Sequence, residues 1–293
     1  MKVFFSLLFS ISLFIHSYAQ TSEDKVSQLI AAENYFNAQV KEKGLKKAFL
    51  AVCDNNTIVF RPDPMPGLKF YRNQPDSIGH LFLEPQYAKI AKSTDWGFTC
   101  GSYMFKQRED SEYASYGTYV SVWKKGNRGI WRLALDAGVA HKKPASSIKK
   151  MFINPADEGF LHQKSTSRLK QREDIVLSSD KLLGTITKAD NKIAQNEFLT
   201  ESSWLLFPGQ EPLIGKKAIM NFWKTRGYKA ITEPVKADRS FSGELAFTYG
   251  TASILAKKYN YIRIWEVQPN YKWNVIVEVF TEANGAATEE PTL

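Results

Sequence analysis

Asp136 and Arg132 lie four residues apart, and Glu278 and Asn274 repeat that placement 142 residues later. On an extended strand, residues an even number apart share a face. A carboxylate beside a guanidinium could bind or polarise a ligand inside a pocket. The same pair could equally be an ion pair on the outer face of a sheet or at a domain contact. Other reactive groups are sparse. Beyond residue 19 the histidines are His80, His141 and His162, and the cysteines are Cys53 and Cys100. Cys53 and Cys100 read either as a disulfide or as two buried thiols. No His-Glu-x-x-His, Cys-x-x-Cys or Gly-x-Ser-x-Gly motif occurs, so the expectation is no metal and no cofactor. Gly209 to Gly215-Lys216-Lys217 is one residue too long for a phosphate loop, and no hydroxyl residue follows the lysine.

The elements that must position these residues occur twice. Tyr119-Val120-Ser121-Val122-Trp123, followed by Trp131 to Asp136, is matched by Tyr261-Ile262-Arg263-Ile264-Trp265, followed by Trp273 to Glu278. Upstream, Gly97-Phe98-Thr99-Cys100-Gly101 matches Ala246-Phe247-Thr248-Tyr249-Gly250, and Ile58 to Pro62 matches Trp204 to Pro208. Collinear matches of this kind predict two copies of one domain. Within each copy helices come first. Leu29, Ala32, Phe36 and Val40 form the stripe of an amphipathic helix, and Leu45–Val52 reads as a second helix. A strand at Ile58–Phe60 and a partly helical 68–91 region follow, then strands near Trp96–Lys106, Tyr116–Lys124 and Ile130–Val139. The second copy repeats this with helices at Val176–Thr187, Ile193–Glu201 and Ala218–Arg226, and strands at Leu205–Phe207, Leu245–Leu255, Tyr259–Val267 and Lys272–Phe280. Helices followed by long strands predict an α+β fold, with the helices packed on one face of an antiparallel sheet.

Composition and ends set the context. The 293 residues are 43% hydrophobic, 24% charged and 13% aromatic, which suits two globular domains and excludes a disordered or collagen-like chain. Residues 1–19 read as a secretory signal, with Lys2, an apolar run over Val3–Ile15, and small residues at Ser17 and Ala19. The protein is therefore expected to be secreted or periplasmic, with no membrane span. Residues 142–172 hold eight Lys or Arg against Asp157 and Glu158. The basic excess is thus concentrated in a linker, which is either solvated or attached to an anionic surface; nucleic acid is not an expected partner. The expected boundaries are signal 1–19, first domain 20–142, basic linker 143–170, second domain 171–283 and flexible tail 284–293.

Taken together, the Phe60-Arg61-Pro62 to Gly67 turn, the Gly97–Gly101 strand, and the runs Tyr116–Lys125 and Trp131–Gly138 resemble the nuclear transport factor 2-like superfamily. The first copy looks most like its polyketide-cyclase-like and exported bacterial members. The resemblance implies two cone-shaped, cystatin-like domains, each a curved sheet wrapped around a pocket beneath its helices. It also implies pairing through the sheets, as a pseudo-dimer within the chain or as a homodimer. In isomerases of the family a carboxylate stands just before the proline; here Arg61 and Phe207 stand there, and neither can serve as a general base. Tyr35 matches a helical position from which relatives reach into the pocket, and its counterpart in the second copy is Leu182. Tyr35, Arg61, Trp123, Arg132 and Asp136 are therefore the pocket candidates, with Tyr35 and the tryptophans also readable as core. No catalytic residue is assigned. The function expected is that of a small-molecule-binding or accessory protein for a small hydrophobic ligand, without catalysis. The alternative is a lyase, isomerase or cyclase acting in the first pocket.

Overall fold

Leu29, Glu33, Phe36 and Val40 recur three or four residues apart, and this stripe is the buried face of helix α1 (Val26–Lys43). Gly44, at φ +82°, ends it and turns the chain into α2 (Leu45–Val52). The computed structural model describes residues 24–76, 79–126, 128–157, 159–163 and 165–284. The expected signal lies outside the described residues, as does the expected tail beyond residue 284.

After the helices come β1 (Cys53–Phe60), β2 (Pro64–Pro66), α3 (Gly67–Arg72), β3 (His80–Ile90), β4 (Trp96–Lys106), β5 (Ser115–Lys125), β6 (Trp131–His141) and β7 (Met151–Ile153). The second half repeats the order with α4 (Thr166–Ala189), α5 (Asn191–Phe198), β8 (Leu199–Leu206), β9 (Leu213–Ile214), α6 (Lys216–Thr225), β10 (Ile231–Arg239), β11 (Leu245–Ile254), β12 (Lys257–Val267) and β13 (Trp273–Glu282). The sheets run β2-β1-β6-β5-β4-β3-β7 and β10-β11-β12-β13-β8-β9. Apart from β7 the two orders are the same, and the fold class is α+β as expected. The most visible departures are β3 and β10. The first lies in the stretch expected to be partly helical, and the second where no element was expected.

Each sheet is buried on both faces. On the helix side, Leu29, Phe36, Phe49, Tyr71, Trp123 and Leu133 form one core, and Val176, Phe207, Trp223, Trp265 and Val275 anchor the other. Between the sheets lies a third core, in which Phe60, Tyr87, Trp96, Phe98, Val120 and Val122 meet Trp204, Leu206, Phe247, Tyr249, Ile262 and Ile264. Tyr87 packs on Trp204 at 5.5 Å between ring centres, and Phe60 meets Tyr249 edge-on at the same distance. Cys53 belongs to the first helix-side core and Cys100 to the inter-sheet core. Both are free thiols here, and burial pushes the Cys53 thiol up to about 12.

The expected basic linker, 143–170, is partly built into the fold. Met151–Ile153 adds a parallel strand to the edge of β3, while Ile148, Met151 and Ile153 pack against the inter-sheet core. Covering that edge satisfies backbone groups that would otherwise template aggregation. Asn154 Oδ1 accepts from Val26 N at 2.8 Å, tying this segment to the start of α1. Basic side chains in the segment find local acids: Lys150 meets Glu84 at 3.1 Å, and Lys170 meets Asp174 at 3.3 Å. α4 starts at Thr166, inside the expected linker, where Ser165 caps it by accepting from Arg168 N. No helix of the described residues is long and apolar enough to cross a membrane.

Candidate functional site

Arg61 leaves the end of β1 at the point where the chain must turn, and Asp136 faces it from the neighbouring β6. The Arg61 Nη2 donates to Asp136 Oδ2 and to the Tyr71 hydroxyl, the latter at 3.0 Å, while Nη1 donates to Phe60 O at 2.8 Å. Ser121 Oγ holds the second carboxylate oxygen, Asp136 Oδ1, at 2.9 Å. The guanidinium lies 5.7 Å from the centre of the Phe49 ring, and Phe49 stacks on Tyr71 at 4.0 Å. Burial works against the Arg61 charge, but Tyr71 and Asp136 more than offset it and push its pKa above the ordinary arginine value. Tyr71 is pushed up in turn, first by burial. Its hydroxyl accepts from Arg61, so its proton has no acceptor among the described residues.

This cluster forms the polar end of a cavity of about 370 Å³. The remaining wall is mostly apolar and aromatic, including Phe49, Phe60, Phe70, Leu83, Tyr103 and Phe105, and Gly138 lies so close to the Tyr103 ring that a Cβ there would come within 3.3 Å of it. A small, mostly apolar ligand with one anionic or hydrogen-bonding group matches these walls. A larger depression of about 700 Å³ lies on the surface around Gly44, His80 and Gln107 to Asp110. It is open to solvent, and Arg108 and Asp110 pair with each other there.

Of the five candidate residues, the structure brings Arg61 and Asp136 together at the cavity and places the other three elsewhere. Tyr35 is 52% exposed on the outer side of α1. Its phase on the helix is wrong, because the inward stripe passes through Glu33 and Phe36. Trp123 is buried in the helix-side core, where its indole N–H donates to Thr99 Oγ1 at 3.1 Å; it does not line the cavity. Arg132 does not share a face with Asp136, contrary to the spacing argument. Val122 pairs with Leu135 but Trp123 pairs with Leu133, so Ala134 is an extra residue in β6 and the alternation slips there. Arg132 instead donates to Ala51 O near the end of α2 and lines a groove between the halves. Asn274 does the same in the second half, donating to Glu197 O at 3.0 Å. Arg132→Met should therefore cost about 1–2 kcal/mol in thermal or chemical unfolding, without changing occupancy of the cavity.

The residue that sequence reasoning missed is Glu33. It is fully buried, and its Oε2 accepts from Thr99 Oγ1 at 2.6 Å. Oε1 makes no hydrogen bond, nor does the buried hydroxyl of Tyr119, a cavity-wall residue close enough to bear on the Glu33 carboxyl. Burial raises Glu33 to about 7, against the lowering effect of Thr99, Tyr119 and Trp123; the nearby Asp136 charge adds to the rise. The signal was available in the sequence. Glu33 sits four residues after Leu29 and three before Phe36, an acid on an otherwise apolar stripe.

The second half shows what becomes of the same geometry when it is filled. Asp180 on α4 takes the place of Glu33, and Arg263 on β12 takes the place of Ser121. Arg263 ion-pairs with Asp180 and donates through Nε to Glu278 at 2.8 Å, with its guanidinium 4.5 Å from the Tyr261 ring centre. Tyr261 completes the cluster by donating to Asp180 at 3.0 Å. Phe207, standing where Arg61 stands, packs among Phe222, Trp223, Tyr259 and Phe280. The remaining space is about 30 Å³, room for about one water. Among the described residues, no group of three or more His, Cys, Asp or Glu side chains is placed to hold a metal.

No family model matches the chain, and no curated protein matches it. Solved structures do. A nuclear transport factor 2-like protein from Cytophaga hutchinsonii is 16% identical, covers 38% of this chain and 97% of its own, and has a TM-score of 0.33. A nuclear transport factor 2-like protein with a cystatin-like fold from Novosphingobium aromaticivorans is 12% identical over 41% of this chain and 88% of its own, with a TM-score of 0.34. A ketosteroid isomerase-like protein from Erwinia carotovora is 13% identical over 41% of this chain and 99% of its own, with a TM-score of 0.32. Each likeness spans about two fifths of the chain and concerns fold alone.

Proposed function

We propose that the chain is an exported small-molecule-binding or accessory protein whose ligand occupies the cavity of the first half. The observation that carries this reading is the contrast between two copies of one fold. One holds about 370 Å³ of aromatic-lined space beside Arg61, Tyr71 and Asp136; the other holds about 30 Å³, with Arg263, Glu278 and Trp223 in its wall. The fitting ligand is small and largely apolar, with a group that accepts from Arg61 or Tyr71. The export part of this reading is supported by the signal-like pattern of residues 1–19, and a periplasmic or secreted location goes with it.

Native mass spectrometry of residues 20–293, purified from the secretory compartment without detergent, is expected to show a discrete added mass that is lost on unfolding. For a defined probe, anilinonaphthalenesulfonate pairs an apolar ring system with one anionic group. Gly138→Leu, which presses on the Tyr103 ring at the cavity wall, should weaken its binding by at least about tenfold, a loss of about 1.4 kcal/mol. Arg132→Met should leave it unchanged. No added mass, together with probe binding indifferent to Gly138→Leu, would remove the cavity as the functional site.

One observation favours the catalytic alternative. Glu33, raised to about 7 and bearing on the cavity-wall residue Tyr119, has the proton affinity of a general acid or base near neutral pH. If the bound compound proves to be turned over as a lyase, isomerase or cyclase substrate, Glu33→Gln should abolish turnover while leaving binding intact.

A further inference from the structure

The two halves meet as near-symmetric partners. Ser93 N donates to Ser242 Oγ and Ser242 N to Ser93 Oγ, both at 3.1 Å, so equivalent serines face each other where the two halves join. On either side, Lys92 N donates to Glu244, and its structural equivalent Phe241 N donates to Asp95, the equivalent of Glu244. Residue i of one half touches residue j of the other, and j touches i, as in a two-fold interface. These contacts use backbone N–H groups and residue types that both halves possess. Any pairing of halves could make them, like with like included.

Two further contacts could not be made in every pairing. Lys89 on β3 pairs with Glu266 on β12, and the equivalent positions, Asp238 on β10 and Lys124 on β5, pair at 2.8 Å. The equivalence follows from the ladders: Lys89 lies opposite Phe98 and Asp238 opposite Phe247, while Trp96 lies opposite Lys124 and Leu245 opposite Glu266. The geometry is therefore repeated with the charges exchanged. The first half presents two positive charges, Lys89 and Lys124; the second presents two negative ones, Asp238 and Glu266. All four are largely shielded, at 16% to 39% side-chain exposure, so screening by salt is incomplete. Asp238 also accepts from the Trp96 indole at 3.2 Å.

We propose that these four charges are a pairing code that makes each sheet face fit the other half of this chain and reject a copy of itself. First half on first half would set Lys89 against Lys124 twice; second half on second half would set Asp238 against Glu266 twice. Like charges brought together at a partly buried contact act as negative design, whereas the apolar inter-sheet core is indifferent to identity. The partner of each sheet is thus its sister half, and the chain acts as a self-contained pair, with one open and one closed cavity.

The test uses the complete mature chain and variants of unchanged net charge. Lys124→Glu combined with Glu266→Lys makes each half complementary to itself and repulsive to its sister. This double variant should lose about 5–10 °C in Tm and form dimers or larger species that grow with concentration in light scattering. Adding Lys89→Glu and Asp238→Lys reverses every charge, restores opposite signs at both contacts, and should return the parent mass and a Tm within about 2 °C of the parent. A double variant with the parent's mass and melting would overturn the code. So would a fourfold variant as impaired as the double, because the loss would then follow from the substitutions and not from the pairing. Where the double variant aggregates or fails to fold, recovery in the fourfold variant supports the code and its absence refutes it.

Discussion

Arg263→Met should destabilise the protein by about 3–5 kcal/mol and lower its melting temperature by about 10 °C or more. Arg263 is 3% exposed, and Asp180 opposite it is fully buried. The methionine would keep most of the packing volume but leave Asp180 and Glu278 without their shared cation. An uncompensated buried charge is costlier than a broken surface pair because water cannot replace the lost partner. Adding Asp180→Asn and Glu278→Gln to the variant should recover much of the loss, since the remaining groups can then be buried uncharged. Calorimetric melting of the parent, single and triple variants checks both statements. A single variant that melts with the parent would mean that the charge cluster is solvated and the second cavity is not closed as described.

The second large effect concerns pH. Burial lifts the Glu33 carboxyl from the ordinary glutamate value of 4.5 to about 7 in the fold. Between those values the folded protein holds a proton that the unfolded chain has released. The contribution of Glu33 to stability is therefore fully present below about pH 4.5 and declines as pH rises through about 7, by roughly 2–4 kcal/mol in all. Glu33→Gln should remove that slope. Denaturant unfolding from pH 5 to 8 is then expected to show the parent losing stability relative to the variant across the interval. Parallel curves would show that Glu33 titrates as an ordinary carboxyl. The same substitution bears on the catalytic alternative, because glutamine keeps the shape and removes the proton.

The repeat and the fold class were legible in the sequence because each leaves a signal at fixed spacing. The contact between Arg61 and Asp136 was not, since 75 residues separate them and the spacing argument paired Asp136 with Arg132 instead. Trp123 and Trp131 recur as Trp265 and Trp273 at a 142-residue offset, and a carboxylate, Asp136 or Glu278, follows five residues after the second tryptophan in both. Strands β3 and β10 each carry a proline, Pro85 or Pro234, a residue that does not fit the regular pattern of a strand. Each sits at an irregularity where the ladder skips a residue opposite Gly101 or Gly250. A side chain at either glycine would meet the backbone oxygen of Glu84 or Glu233 at about 2 Å, so proline and glycine mark one shared bend. The Arg132 reading failed on another irregularity, the extra residue Ala134, repeated as Ile276 in the second half. Simple alternation cannot reveal a bulge. Tyr35 failed on helical phase, and the role of Arg263 emerges only once its partners on α4 and β13 are brought together in space.

The core between the sheets bears on how such a chain can evolve. A copy whose cavity has closed would ordinarily be free to decay or be deleted. Here its deletion would lay bare Phe60, Tyr87, Phe98, Val120 and Val122, all buried against the other sheet, and leave an apolar face open to aggregation. The closed half therefore serves as a permanent shield for its sister, whatever it binds or fails to bind. Its pocket residues are free to drift toward tighter packing, while the residues that cover its sister must keep pace with them. Losing either half would therefore carry a cost in surface chemistry that is independent of any ligand.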